Sequence, residues 1–145
     1  GIYEILSGRV SVSALRNIDI QDLLRRVPIS IDLQQVAALA RDKTVLVTGA
    51  GGSIGSELCR QLSMLDPKRI IAVGRGENSV FELLQDLQQL SPKPSVIPLI
   101  VDVRDEAKMR LIFERYRPET VFHAAAHKHV PLMEENIAEA VTNNV

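Results

Sequence analysis

The sequence predicts an α/β fold: a doubly wound parallel sheet of about four strands in the order 3-2-1-4, preceded by a short helical appendage. Three observations carry that expectation. Thr44-Val45-Leu46-Val47-Thr48 is a continuous run rich in β-branched residues, of the kind buried on both faces of a parallel sheet. Glycines at 49, 52 and 55 follow it at once. From Lys43 onward, strand-like and helix-like segments alternate at lengths suited to right-handed βαβ crossovers.

Each element has its own signal. Residues 1–41 lack the alternation and read as a linker or appendage, with a helical turn at residues 20–26 and a second helix at residues 33–41 capped by Asp32. Residues 42–145 read as the main domain. After the first strand, Ile54, Leu58, Leu62 and Leu65 recur at helical spacing, and Asp66-Pro67 ends that helix. Arg69-Ile70-Ile71-Ala72-Val73 is the second strand. Val80, Leu83, Leu84, Leu87 and Leu90 mark the next helix, which Ser91-Pro92-Lys93-Pro94 breaks. Residues 96–101 form a third strand, kinked or shortened by Pro98. Ala107, Leu111 and Ile112 place a third helix on the sheet, and Pro118 stops it. Residues 120–126 make a fourth strand with a small-residue end, and residues 132–145 look like one final helix. The chain starts without methionine and stops inside that helix, as an excised piece is expected to do.

Composition narrows the function classes. The 145 residues suit one compact domain, and 46% hydrophobic with 24% charged residues is ordinary globular usage. A net charge of -1, with both signs interspersed, supplies no footprint for a nucleic-acid backbone. Cys59 is the single cysteine, so the chain builds neither an internal disulfide nor a cysteine zinc site, and a reducing compartment fits. No apolar run approaches the ~20 residues of a membrane-spanning helix. His123, His127 and His129 draw attention as a possible metal cluster, but no carboxylate or cysteine sits in register with them, and no metal is expected.

The glycine segment carries the chemistry. Strand before and helix after is the context in which such a pattern signifies a Rossmann dinucleotide site. Gly49 permits a tight turn, Gly52 removes a Cβ where backbone must approach a pyrophosphate, and Gly55 lets helix and strand pack closely. The helix start, through Ser53 and Ile54, offers free N–H donors and a positive dipole end to phosphate. A purely structural turn is the competing reading. A phosphate-binding P-loop is excluded, because no Gly-Lys-Ser/Thr follows.

The spacing Thr48-Gly49-x-x-Gly52-x-x-Gly55 resembles the extended short-chain dehydrogenase/reductase superfamily. Together with Asp102-Val103-Arg104-Asp105 and the segment from Val121 through His123-Ala124-Ala125-Ala126-His127-Lys128-His129 to Glu134, it resembles the bacterial polysaccharide-biosynthesis subgroup of nucleoside-diphosphate-sugar 4,6-dehydratases and epimerases, often called CapD-like. The resemblance covers about residues 43–145, and even residues 10–32 look like that subgroup's linker from a membrane-anchored region. It implies that Asp102 and Val103 meet the adenine, that Ala124, Ala125 and Ala126 lie along the ribose, and that Asn144 is the asparagine of the superfamily's Asn-Val-x-Gly-Thr helix, here cut before Gly-Thr. Lys128 and His129 fall at the rim of a sugar-nucleotide pocket. The bland alternatives are a helix-capping loop aspartate, strand-end packing and a solvated basic loop.

One departure bears on the cofactor. An acidic ribose ligand is expected about 20 residues beyond the glycines, where this chain reads Val73-Gly74-Arg75-Gly76-Glu77. Arg75 suits a 2′-phosphate, which favours NADP over NAD, although Glu77 keeps NAD open. The resemblance implies a UDP-hexose substrate, a 4-keto intermediate, a homo-oligomeric parent at the cytoplasmic face of the bacterial inner membrane, and catalytic acid and base residues beyond Val145. A non-catalytic nucleotide-sensing module is the alternative.

Overall fold

A computed structural model describes residues 33–90 and 95–145. The expected turn at residues 20–26, the Asp32 cap and the break at residues 91–94 lie outside the described residues. The elements run α1 (Leu33–Ala40), β1 (Thr44–Thr48), α2 (Ser53–Ser63), β2 (Arg69–Gly74), α3 (Glu77–Gln88), β3 (Val96–Ile100), α4 (Glu106–Tyr116), β4 (Thr120–His123), α5 (Val130–Glu134) and α6 (Ile137–Asn144). The strands form one sheet in the order β3-β2-β1-β4, with every pairing parallel. A compact unit covers Leu33–Val145, so α1 is counted with the sheet.

Side-chain alternation divides the core between the two faces. Val45, Val47, Ile70 and Ala72 point to one side, where Ala40 of α1, Cys59 and Leu62 of α2, and Leu83 and Leu87 of α3 cover them. Leu46, Ile71 and Val73 point to the other, against Ile112 of α4 with Met109 and Tyr116 alongside. Covered twice, β1 is buried at all five positions, which is why its sequence reads as an unbroken apolar run rather than an alternating one. Each fully buried valine, leucine or isoleucine contributes roughly 1.5–3 kcal/mol of transfer free energy. Pro98 sits on the outer strand β3, opposite Ala72. Ser95 O accepts from Ile70 and Val101 N donates to Gly74, so odd-numbered residues of this segment face β2 and Pro98 faces away, where its missing N–H breaks no ladder bond.

Three sequence expectations are corrected. The buried stripe of α2 is Gly55, Cys59 and Leu62, whereas Ile54 is 65% exposed, because small residues let the helix settle close to the strands. On α4, Ile112 is buried with Met109 and Tyr116 beside it, while Ala107 and Leu111 are exposed; both faces of that helix carry apolar residues, and periodicity alone did not choose between them. The expected single helix over residues 132–145 is two helices, divided at Asn136, which precedes α6 as its N-cap in a non-helical conformation.

Helix ends follow their local chemistry. Asp105 caps α4 by accepting from Lys108 N. Arg117 closes the helix in the left-handed region (φ 46°), just before Pro118. Thr120 Oγ1 donates to Leu39 O at 2.7 Å, tying α1 to the start of β4.

Two outcomes follow from this packing. A Cβ on Gly55 would stand 2.1 Å from Gly49 O and 2.8 Å from Ala50 Cα, both backbone atoms, whereas one on Gly52 would meet only Gly49 O, at 3.2 Å. Gly55→Ala is expected to cost roughly 2–3 kcal/mol despite alanine's helix preference of about 1 kcal/mol, and Gly52→Ala less than about 1. Urea unfolding of both variants reads the difference, and equal losses would show that the contact relaxes freely. Cys59 is fully buried, and burial pushes its thiol from 9.0 up to about 12. It is expected to resist a thiol reagent at pH 8 until denaturant is added. Because the unfolded thiol ionises first, stability is expected to be untouched by this group below about pH 9 and to fall between about 9 and 12, by up to ~1.4 kcal/mol per pH unit. A Cys59→Ala variant with the same alkaline slope would show that other groups cause it.

Candidate functional site

β1 pairs with β2 on one side and with β4 on the other. Connections run outward from β1 to β2 and β3 and then return past both to β4, so the strand order reverses between β1 and β4. The carboxyl end of the sheet at such a reversal is where open α/β sheets form their ligand crevice. A cleft of about 300 Å³ occupies this point, lined from all four strand ends: Gly49, Gly51 and Gly52 after β1, Gly74, Arg75 and Gly76 after β2, Val101, Asp102 and Val103 after β3, and Ala124, Ala125, Ala126 and His127 after β4. Its volume is at the low end of ligand pockets, about 300–1,000 Å³.

The floor is a glycine cradle. Gly49 has φ +65°, and a Cβ there would stand 2.4 Å from Ala124 O, so both conformation and space demand glycine. Gly52 N donates to Gly49 O and Ala50 N to Val73 O, which fixes the turn. Gly52 is the N-cap of α2, with no side chain capping that helix, and Gly76 is the equally uncapped N-cap of α3. Two helix starts with orphan first-turn N–H groups thus converge on one cleft, an arrangement that suits phosphate. A Cβ at Gly52 would meet only Gly49 O, at 3.2 Å, and without one a ligand can approach that backbone directly. Gly51 is held for another reason: a Cβ there would stand 2.4 Å from Ser79 Oγ, and Ser79 donates to Gly76 O at 3.0 Å. Gly51 lies within the glycine loop read from the sequence, whereas sequence reasoning missed Gly74, Gly76 and Ser79 as lining residues; the surplus glycines at 74 and 76 were the available signal.

The rim is charged. Asp102 Oδ1 accepts from the Arg104 backbone N–H at 3.0 Å, while the Arg104 guanidinium spans both carboxylate oxygens, with Nη2 to Oδ2 at 2.7 Å. This guanidinium holds the Asp102 carboxyl well below the usual carboxylate range. Glu139, from α6, accepts from Arg104 Nη1 at 3.0 Å and lies 3.6 Å from Arg75 Nη1. Its carboxyl is also lowered, first by the hydrogen bond with His127 and then by Arg104.

The remaining sequence candidates divide between cleft and surroundings. Ser53 and Ile54 are exposed in the first turn of α2, next to the cleft but outside its lining, and Gly55 is buried behind the loop. Asn144 does not line the cleft. Its Oδ1 accepts from His127 N and its Nδ2 donates to His127 O, each at 2.9 Å, so it clasps the loop after β4. Asn143, which the sequence reading passed over, lines the cleft and donates to Ala125 O at 3.1 Å. Lys128 lies in a separate groove with Val130, Met133, Ile137 and Val141, and His129 is the N-cap of α5. His123 Nδ1 meets Thr48 Oγ1 at 2.7 Å across β1 and β4. The three histidines thus serve three different neighbourhoods. Among the described residues no helix is long and apolar enough to cross a membrane.

Comparison with known proteins agrees with this architecture. The chain is 48% identical over 143 residues to the probable polysaccharide biosynthesis protein EpsC of Bacillus subtilis, covering 98% of this chain and 24% of that protein. It is 44% identical over 145 residues to the capsular polysaccharide biosynthesis protein CapD of Staphylococcus aureus, covering 99% and 24%. The chain therefore spans about a quarter of the length of these curated relatives. Among solved structures, a UDP-glucose 4-epimerase from Stenotrophomonas maltophila, with bound NAD and formylated UDP-arabinopyranose, superposes with a TM-score of 0.63 at 25% identity, covering 70% of this chain and 30% of that one. The sheet is Rossmann-like. Residues 45–145 match the polysaccharide biosynthesis protein family, and with its fold and cleft in agreement the chain belongs to that family.

Proposed function

We propose that the cleft binds the diphosphate and adenosine portions of NAD(P), and that the protein carrying this chain is a nucleotide-sugar 4,6-dehydratase or epimerase acting on a UDP-hexose. The observation that carries this is the glycine cradle at the point where strand order reverses, with two uncapped helix starts facing one opening. The similar epimerase, which holds NAD, supports the choice of ligand class. When bound, the dinucleotide accepts and returns a hydride at the sugar, by way of a 4-keto sugar.

Each of the chain's own residues has a place in this reading. Gly49, Gly52 and the first turn of α2, with Ser53 and Ile54, receive the pyrophosphate, while Gly55 lets α2 pack close behind the loop. Asp102 and Val103 border the adenine, Ala124, Ala125 and Ala126 leave room for ribose, Arg75 reaches the 2′ position, and Asn144 holds the loop after β4 in place. Lys128 and His129 stand toward the sugar nucleotide. We assign no catalytic acid or base among residues 1–145, and we place the sugar's half of the cleft on other segments of the full-length protein. The division into a linker (residues 1–41) and a cofactor-binding part (residues 42–145) belongs to the same proposal, as do membrane anchoring through another region, a homo-oligomeric state and a site of action at the cytoplasmic face.

Substitution at the cradle tests the reading. Gly52→Val places a branched side chain at the cleft lining where the phosphate is to lie, so in the full-length protein it is expected to weaken NAD(P) binding at least 100-fold, ~2.7 kcal/mol, and to abolish formation of a 4-keto product from UDP-N-acetylglucosamine, with the fold retained. Wild-type affinity in the folded variant sinks the assignment, and cofactor binding by the wild type without turnover of any UDP-sugar favours a sensing module. Gly74 in place of an acid, with Arg75 beside it, supports a modest preference for NADP. Arg75→Ala is expected to weaken NADP⁺ roughly tenfold in calorimetric titration and NAD⁺ little. Tighter NAD⁺ binding by the wild type, unaltered in Arg75→Ala, would refute it.

A further inference from the structure

We infer that Glu139 is a specificity-determining positioning residue: set against Arg75 at the cleft rim, its carboxylate supplies the negative charge that the end of β2 lacks and holds down the affinity for a 2′-phosphorylated dinucleotide. The inference rests on the reading of the cleft as a dinucleotide site.

Glu139 belongs to α6, far along the chain from β2, yet its Oε1 lies 3.6 Å from Arg75 Nη1, 3.0 Å from Arg104 Nη1 and 3.3 Å from His127 Nε2. Arg75 and His127 line the cleft and Glu139 does not, so Glu139 acts on a ligand through its neighbours. Arg104 is already spanned by Asp102. Two guanidinium groups therefore face two carboxylates, and the charge at the rim balances without a ligand. His127 adds a further competitor: its Nε2 either donates to Glu139 or accepts from Arg75 Nη2 at 3.4 Å.

A 2′-phosphate arriving at Arg75 brings ~2 negative charges and strong acceptor oxygens. To engage the guanidinium it must draw Arg75 from Glu139 and sit near that carboxylate, which is also bonded to Arg104 and His127. A 2′-hydroxyl brings no charge and leaves the pair undisturbed. Removing the Glu139 charge thus releases Arg75 for phosphate while changing little for a ribose hydroxyl. Arg75 and Glu139 are 52% and 41% exposed, and solvent weakens such pairs, so the expected change is about fivefold rather than thousandfold.

Calorimetric titration of the full-length protein with NAD⁺ and NADP⁺ decides the matter, using wild type, Glu139→Gln, Glu139→Asp, Arg75→Ala and the Arg75→Ala/Glu139→Gln pair. Glu139→Gln is expected to raise the NADP⁺-to-NAD⁺ affinity ratio about fivefold, Glu139→Asp to stay near the wild-type ratio, and the Gln substitution to have no effect on the ratio once Arg75 is alanine. Equal loss of both cofactors would assign Glu139 a structural role and overturn the inference. So would an unchanged ratio, or a shift that persists without Arg75. If wild type binds neither cofactor, the cleft is not a dinucleotide site and the inference falls with that reading; binding of both with a flat ratio overturns the inference alone.

Discussion

The close passage of α2 beneath the loop after β1 is the contact on which the rest of the site depends. Gly55 lies so near the Gly49 carbonyl that no β-carbon fits between them. That approach sets the helix start directly behind the turn and aims its unpaired N–H groups at the opening. It also brings Cys59 and Leu62 down onto Val45 and Val47. Withdrawing the helix by the width of a methyl group would loosen the core face and move the donors away from the cleft at once, so packing and binding share one distance.

Much of this was legible in the sequence, for identifiable reasons. β1 and β2 are buried on both faces and spell that out as runs without polar interruption. Their parallel pairing and the strand order followed from the alternation of elements. The loop after β1 was legible because glycine is needed there for conformation and for space, and both needs leave the same trace. Harder to read were contacts that depend on the placement of distant elements. Ser79 on Gly51, Asn143 in place of Asn144 at the cleft, and Glu139 at Arg75 are products of tertiary geometry with no local periodicity. The faces of α2 and α4 were misread for another reason. On α2, seated tightly on the sheet, small residues are buried, so a hydrophobic count overlooks Gly55 and Cys59 in favour of the exposed Ile54; on α4, apolar residues on both faces leave periodicity unable to separate the buried Ile112 from the exposed Leu111.

Placement also changes what a predicted residue has to do. The resemblance sets Asp102 at the adenine, and in the structure it carries Arg104 on both oxygens. Any acceptor role toward a base is shared with that guanidinium, and the pair as a unit, rather than the acid alone, borders the cleft. Asn144 shows the converse: both ends of its amide are spent on the His127 backbone, so its contribution is to fix the small-residue segment whose carbonyls and methyl groups form one wall. Charge and shape at this site come from separate parts of the chain and meet only after folding.

Pro98 has an effect that reaches beyond its own strand. It stands on the outer face of β3 with no amide hydrogen to offer, and a passing extended segment finds an interrupted row of donors there. Among the described strands the two borders of the sheet therefore differ: β3 lacks one amide donor at Pro98, and β4 contains no proline. An extended segment laid along β3 would lose one ladder bond at Pro98, a cost set by covalent structure rather than by charge.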